Sequence, residues 1–166
     1  MRYAKPLSLY RDLLKPDASI QGRLLGLSIG PDTYRPNGVG VAVSEPPGDL
    51  AKPLWYELKT LIVTTLSVSG VIVGCPSETQ LVLRDRVEQF VKDLSEKENF
   101  KMVRYTFWDE DDVYAKRMQC VVDPFSFDPI AAKKLRDKKY AASGMLQDYL
   151  DAMKNAVKKD VAELSQ

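Results

Sequence analysis

Histidine is absent from all 166 residues. That excludes a histidine-based catalytic triad, a histidine metal ligand and a histidine general base. Hydrolytic chemistry in such a chain has to rest on carboxylates and a metal ion. Cysteine is scarce: Cys75 and Cys120 are too few and too far apart for a disulfide framework or a zinc site. They read as reduced thiols of an intracellular protein, cytoplasmic or organellar. Net charge is almost missing, with a formal value of +1 from 24 Lys and Arg against 23 Asp and Glu. No global field therefore draws the chain to nucleic acid or to a membrane surface, and local clusters must carry any such attraction. No secretory signal pattern and no apolar run of membrane-spanning length stands in the sequence, so no membrane partner is expected.

What the sequence does have is an ordinary globular composition, 45% hydrophobic and 28% charged, at a length that suits one domain. Its centre is Arg23-Leu-Leu-Gly-Leu-Ser-Ile-Gly30, a short apolar run with polar flanks that reads as a buried central strand. Alternation puts Leu25, Leu27 and Ile29 on one face and Leu24, Gly26 and Ser28 on the other. Ser28 is a lone polar residue there, and the neighbouring glycines predict open space around it.

Residues 1–21 read as a peripheral N-terminal extension, with Leu9, Leu13 and Leu14 on a short helix, and residues 22–166 as the domain. Val39 to Ser44 reads as a second strand, antiparallel to the first, and Pro53 to Leu58 as a short third. Val71-Ile-Val73 is another buried strand, closed by Gly74-Cys-Pro76. Leu83, Val87, Phe90, Val91 and Leu94 recur at helical spacing. Met102 to Trp108 reads as a strand with Val103, Tyr105 and Phe107 on one side. From Ile130 through Met153 the pattern is helical again. Strands first, then strands alternating with helices, predict an α/β domain with a mixed sheet flanked by helices. Sites in such sheets collect at the carboxyl ends of strands.

Three clusters there bear on chemistry. The acidic run Asp109-Glu-Asp-Asp112 follows a strand and offers oxygen ligands for Mg²⁺ or Mn²⁺, or else caps the next helix. The basic run Lys133-Lys-Leu-Arg-Asp-Lys-Lys139 presents Lys133, Lys134, Arg136, Lys138 and Lys139, either to phosphates or simply to solvent. Gly74-Cys-Pro-Ser-Glu78 has neither the lysine nor the glycine spacing of a phosphate loop and reads as a connecting turn.

Several of these stretches together resemble one family. Arg23 to Gly30, Gly38-Val-Gly-Val-Ala-Val-Ser44 and Ala51-Lys-Pro-Leu54 resemble the opening of the YqgF/RuvX proteins. Val71-Ile-Val-Gly-Cys-Pro76, Trp108-Asp-Glu110 and Lys139-Tyr-Ala-Ala-Ser-Gly-Met-Leu-Gln-Asp-Tyr-Leu-Asp151 are similar to later motifs of that family, in the same order. The resemblance spans about residues 22–151. It implies a ribonuclease H-like fold of the Holliday-junction-resolvase type with a five-stranded mixed sheet. It also implies a metal-dependent nuclease that finishes the 5′ end of small-subunit ribosomal RNA precursors, with three carboxylates and Mg²⁺ or Mn²⁺.

Carried over one at a time, those carboxylates fall on Ser28, Glu110 and Lys138. Only Glu110 is retained, with Asp109 beside it as a weak metal ligand. Asp137 is next to Lys138, but one helical step turns a side chain by about 100°. A cation at position 138 repels a metal ion and attracts a phosphate. The expectation is therefore a YqgF-like nuclease homologue, weakened or inactive in cleavage, that binds a ribosomal RNA precursor. Two alternatives stand beside it. One is an active nuclease with a displaced set drawn from Asp32, Asp109, Glu110, Asp111 and Asp137. The other is a non-catalytic RNA- or protein-binding domain.

Overall fold

The computed structural model describes residues 1–14, 23–30, 38–45, 50–54, 68–76, 80–109 and 138–164. Among them, six strands form one mixed sheet. The order of elements is β1 (Arg2–Tyr3), α1 (Pro6–Leu13), β2 (Arg23–Ile29), β3 (Val39–Glu45), β4 (Leu50–Leu54) and β5 (Val68–Cys75). Then come α2 (Leu81–Ser95), a short 3₁₀ turn (Glu98–Phe100), β6 (Arg104–Asp109) and α3 (Lys138–Leu164). Across the sheet the strands lie in the order β1-β6-β5-β2-β3-β4. Strands β2, β3 and β4 pair antiparallel as a meander; β5, β6 and β1 add in parallel on the other side of β2.

The apolar run at 23–30 is an interior strand, as its composition predicts. Alternation gives it two buried faces. Leu25, Leu27 and Ile29 join Val41, Val71 and Val73 beneath Val87, Val91 and Leu94 of α2. Leu24 joins Ala42 and Ile72 beneath α1 and α3, where Leu9, Ala142, Met145, Leu146, Tyr149 and Leu150 are buried. Each buried Val, Leu, Ile or Met side chain among these contributes about 1.5–3 kcal/mol of apolar burial, and two such layers on one sheet define an α/β sandwich.

The sheet has six strands where the family resemblance implies five. The additional one is β1, whose Arg2 and Tyr3 sit opposite Arg104 and Tyr105. The first thirteen residues thus add to the sheet and to the core. Leu9 and Tyr10 of α1 are buried. Leu14, expected on the same helical face, is half exposed at the end of the helix. The third strand of the meander occupies 50–54 rather than starting at Pro53. Pro53, which cannot donate to a ladder, is tolerated there because β4 is an edge. Met102, expected within β6, is exposed in the turn before it. No helix among the described residues is long and apolar enough to cross a membrane.

Gly26 does not leave open space. A Cβ at that position would lie 2.9 Å from Leu146 Cβ and 3.1 Å from the carbonyl oxygen of Ala142. The glycine lets α3 come down onto β2, so the room foreseen around Ser28 is taken by a helix. Gly70 makes room for the side chain of Leu9 on α1, since a Cβ there would lie 2.7 Å from Leu9 Cδ1.

Candidate nucleic-acid site

The candidate site lies where β2, β5 and β6 reach their carboxyl ends. Parallel pairing aligns those ends: Leu27 sits opposite Val73, and Gly74 and Cys75 sit opposite Trp108 and Asp109. One residue beyond Leu27, Ser28 therefore shares a row with Gly74 and Trp108. Ser28 is fully buried and pairs with Gly40 of β3. It faces the α1 and α3 side, as its alternation with Leu27 predicts.

Asp109 ends β6 and is exposed. Glu110, the carboxylate expected to be retained, lies outside the described residues, as do Asp32, Asp111, Asp137, Lys133, Lys134 and Arg136. Position 138 is the first residue of α3, one helical turn before Ala142, whose carbonyl lies over Gly26. The side chains of Lys138 and Lys139 are outside the described set.

α3 is fixed over the sheet from both sides. Toward β4, the Ser143 hydroxyl donates to the carbonyl of Ala51 at 3.1 Å. The N–H of the same alanine donates to Gln147 Oε1 at 2.9 Å. Toward β6, the indole N–H of Trp108 donates to Asp148 Oδ2 at 2.9 Å. The Trp108 ring also meets Tyr149 edge-on, with centroids 5.2 Å apart. The Tyr149 hydroxyl donates to the carbonyl of Pro6 at 2.8 Å. Burial, and then the neighbouring Tyr10, push the Tyr149 phenol well above its ordinary pKa.

Sequence reasoning missed the Trp108–Asp148 pair. A signal was available: a tryptophan at a strand end needs an acceptor for its N–H when it is buried, and Asp148 falls inside the last-helix motif.

Two-metal hydrolysis of a phosphodiester needs carboxylates that bridge a pair of ions. Among the described residues, no group of three or more His, Cys, Asp or Glu could hold a metal ion. Ser28 supplies an enclosed neutral hydroxyl, and Asp109 a solvent-facing carboxylate at the end of a different strand. The described donor set does not fit a divalent pair.

A meander of three antiparallel strands, extended in parallel by three more and covered by helices on both faces, has the arrangement of a ribonuclease H-like fold. No family model matches the chain. A curated protein of Caldanaerobacter subterraneus subsp. tengcongensis, named "Putative pre-16S rRNA nuclease", is 28% identical over 144 residues, which cover 81% of this chain and 99% of that protein. That similarity agrees with the resemblance of residues 22–151 to the YqgF/RuvX proteins.

Proposed function

We propose that this protein binds precursors of small-subunit ribosomal RNA at the carboxyl edge of its sheet and is weak or inactive in cleaving them. The RNA comes from the name of the relative, which the alignment covers almost from end to end. The loss of cleavage rests on one observation: the position where the family places its first-strand aspartate holds Ser28, fully buried in β2. A neutral hydroxyl provides none of the charge that gathers divalent ions. Lys138, at the start of α3, adds a cation that favours a phosphate over a metal. Glu110 alone then has no opposing ligand from the first strand or the last helix.

The test is incubation of the protein with an RNA that carries the 5′ leader of the small-subunit precursor, with Mg²⁺ or Mn²⁺. The expected result is binding without appreciable shortening of the leader. Robust metal-dependent cleavage that disappears in Glu110→Gln would refute this reading and favour a displaced carboxylate set.

A further inference from the structure

Trp108 and Tyr149 stand between two parts of the chain that are far apart in sequence. On one side is the N-terminal segment, outside the span of the family resemblance. On the other is the end of β6, where the acidic run begins. We propose that the N-terminal segment holds this end of β6 in place through Tyr149 and Trp108, so that the segment and the acidic strand end loosen together.

The contacts form an unbroken path. The carbonyl of Pro6 accepts the Tyr149 hydroxyl at 2.8 Å. The Tyr10 ring of α1 meets Tyr149 at 6.4 Å and 78°. Tyr149 meets Trp108 at 5.2 Å and 86°. Both pairs have the edge-to-face geometry that aromatic quadrupoles favour. Trp108 closes the path on Asp148, the residue before Tyr149 on α3. The residue after Trp108 is Asp109, the last of the strand.

Backbone pairing does not supply this coupling. β1 pairs only with Arg104 and Tyr105 at the start of β6. The amides of Arg2 and Ala4 bond to the carbonyls of Val103 and Tyr105. The last residues of β6 pair with β5, which β1 does not touch. The route from the segment to the strand end therefore runs through side chains. The segment itself is firmly seated: Leu9 and Tyr10 are buried, Asp12 pairs with Arg104, and Arg11 pairs with Asp160 near the end of α3. This inference goes beyond the RNA reading and does not depend on it, because it rests on contacts within the chain itself.

The test is hydrogen exchange by NMR on the full chain. The probes are the Trp108 indole N–H, the amides of 106–109 and the amides of α1. Tyr149→Phe keeps the ring and removes the bond to Pro6. It should speed exchange about threefold to tenfold at the Trp108 indole and at 106–109, the effect of one lost hydrogen bond on local opening. Trp108→Phe keeps an aromatic ring and removes the bond to Asp148. Because coupling is reciprocal, it should speed exchange in α1 by a comparable factor. Gln147→Ala, on the opposite flank of α3, should loosen Ala51 and leave 106–109 unchanged. The proposal is overturned if Tyr149→Phe loosens α1 alone, if Trp108→Phe loosens 106–109 alone, or if Gln147→Ala loosens 106–109 as much as Tyr149→Phe does.

Discussion

Leu146 rests directly on Gly26, with no room for a methyl group between helix and strand. An added Cβ would stand 2.9 Å from Leu146 Cβ and 3.1 Å from a backbone oxygen of the same helix. Neither atom is the free end of a flexible side chain, so α3 itself would have to lift. Gly26→Ala is expected to lower stability by about 1–3 kcal/mol, the usual cost of overpacking. Chemical denaturation reads this, and an unchanged midpoint would show that α3 is free to shift.

Tyr149 gives the protein a sensitivity to alkali. Its folded pKa lies above the ordinary value of 10.0, chiefly through burial. The unfolded chain therefore releases this proton before the folded one does. The stability tied to the neutral phenol is fully present below about pH 10 and declines as pH rises from there toward the folded pKa. Tyr149→Phe should be less stable than the parent at neutral pH by about 1 kcal/mol, for the lost bond to Pro6. Above pH 10 the two stabilities should converge. Parallel thermal unfolding series from pH 8 to 11, all on the order of ordinary titration practice, distinguish this from a constant gap.

Ser28→Asp combined with Lys138→Asp places carboxylates at the two positions where this chain departs from the pattern of the family it resembles. In Ser28→Asp alone, a carboxylate enters a fully buried position, and its desolvation should cost several kcal/mol of stability. The double variant should regain part of that loss when Mn²⁺ is added. Calorimetric titration should show Mn²⁺ binding tighter than in the parent, whose affinity is expected on the order of millimolar. Either change alone should tighten binding little, because ligands of one site act as a unit. Equal gains from each single variant would mean that the two positions do not belong to one site.

The basic run at the approach to α3 is expected to carry the RNA contact. Charge reversal at Lys133, Lys134 and Arg136 should weaken RNA binding and flatten its dependence on salt by about one unit of log–log slope per lost phosphate contact. Fluorescence anisotropy at several salt concentrations measures both quantities. Unchanged affinity would move the RNA contact elsewhere on the protein.

The sequence was readable where a short periodic pattern governs the outcome. Leu25, Leu27 and Ile29 sort from Leu24, Gly26 and Ser28 because side chains alternate along any strand. Val87, Val91 and Leu94 sort from their polar neighbours by helical spacing. β1 was not readable, because Arg2 and Tyr3 are too few to show a period. The surroundings of Ser28 were misread for a different reason. A glycine beside a polar residue looks the same in sequence whether it leaves a cavity or admits a helix, and only the path of α3 decides between the two. Trp108 and Asp148 are forty residues apart, and no local pattern links them.

The outer rim of β4 has a consequence for how the protein is made. The outward N–H and C=O of Ala51 are claimed by Gln147 and Ser143, side chains from almost a hundred residues later. A strand with unclaimed backbone groups is a template for other chains. During synthesis from the N-terminus, β2, β3 and β4 emerge long before α3 does. For that interval the meander has a sticky border that the last helix later seals at Ala51. A stall in translation ahead of residue 143 would leave a nascent chain ready to pair with its neighbours on a polysome. The same two side chains that settle the helix on the sheet also end that hazard.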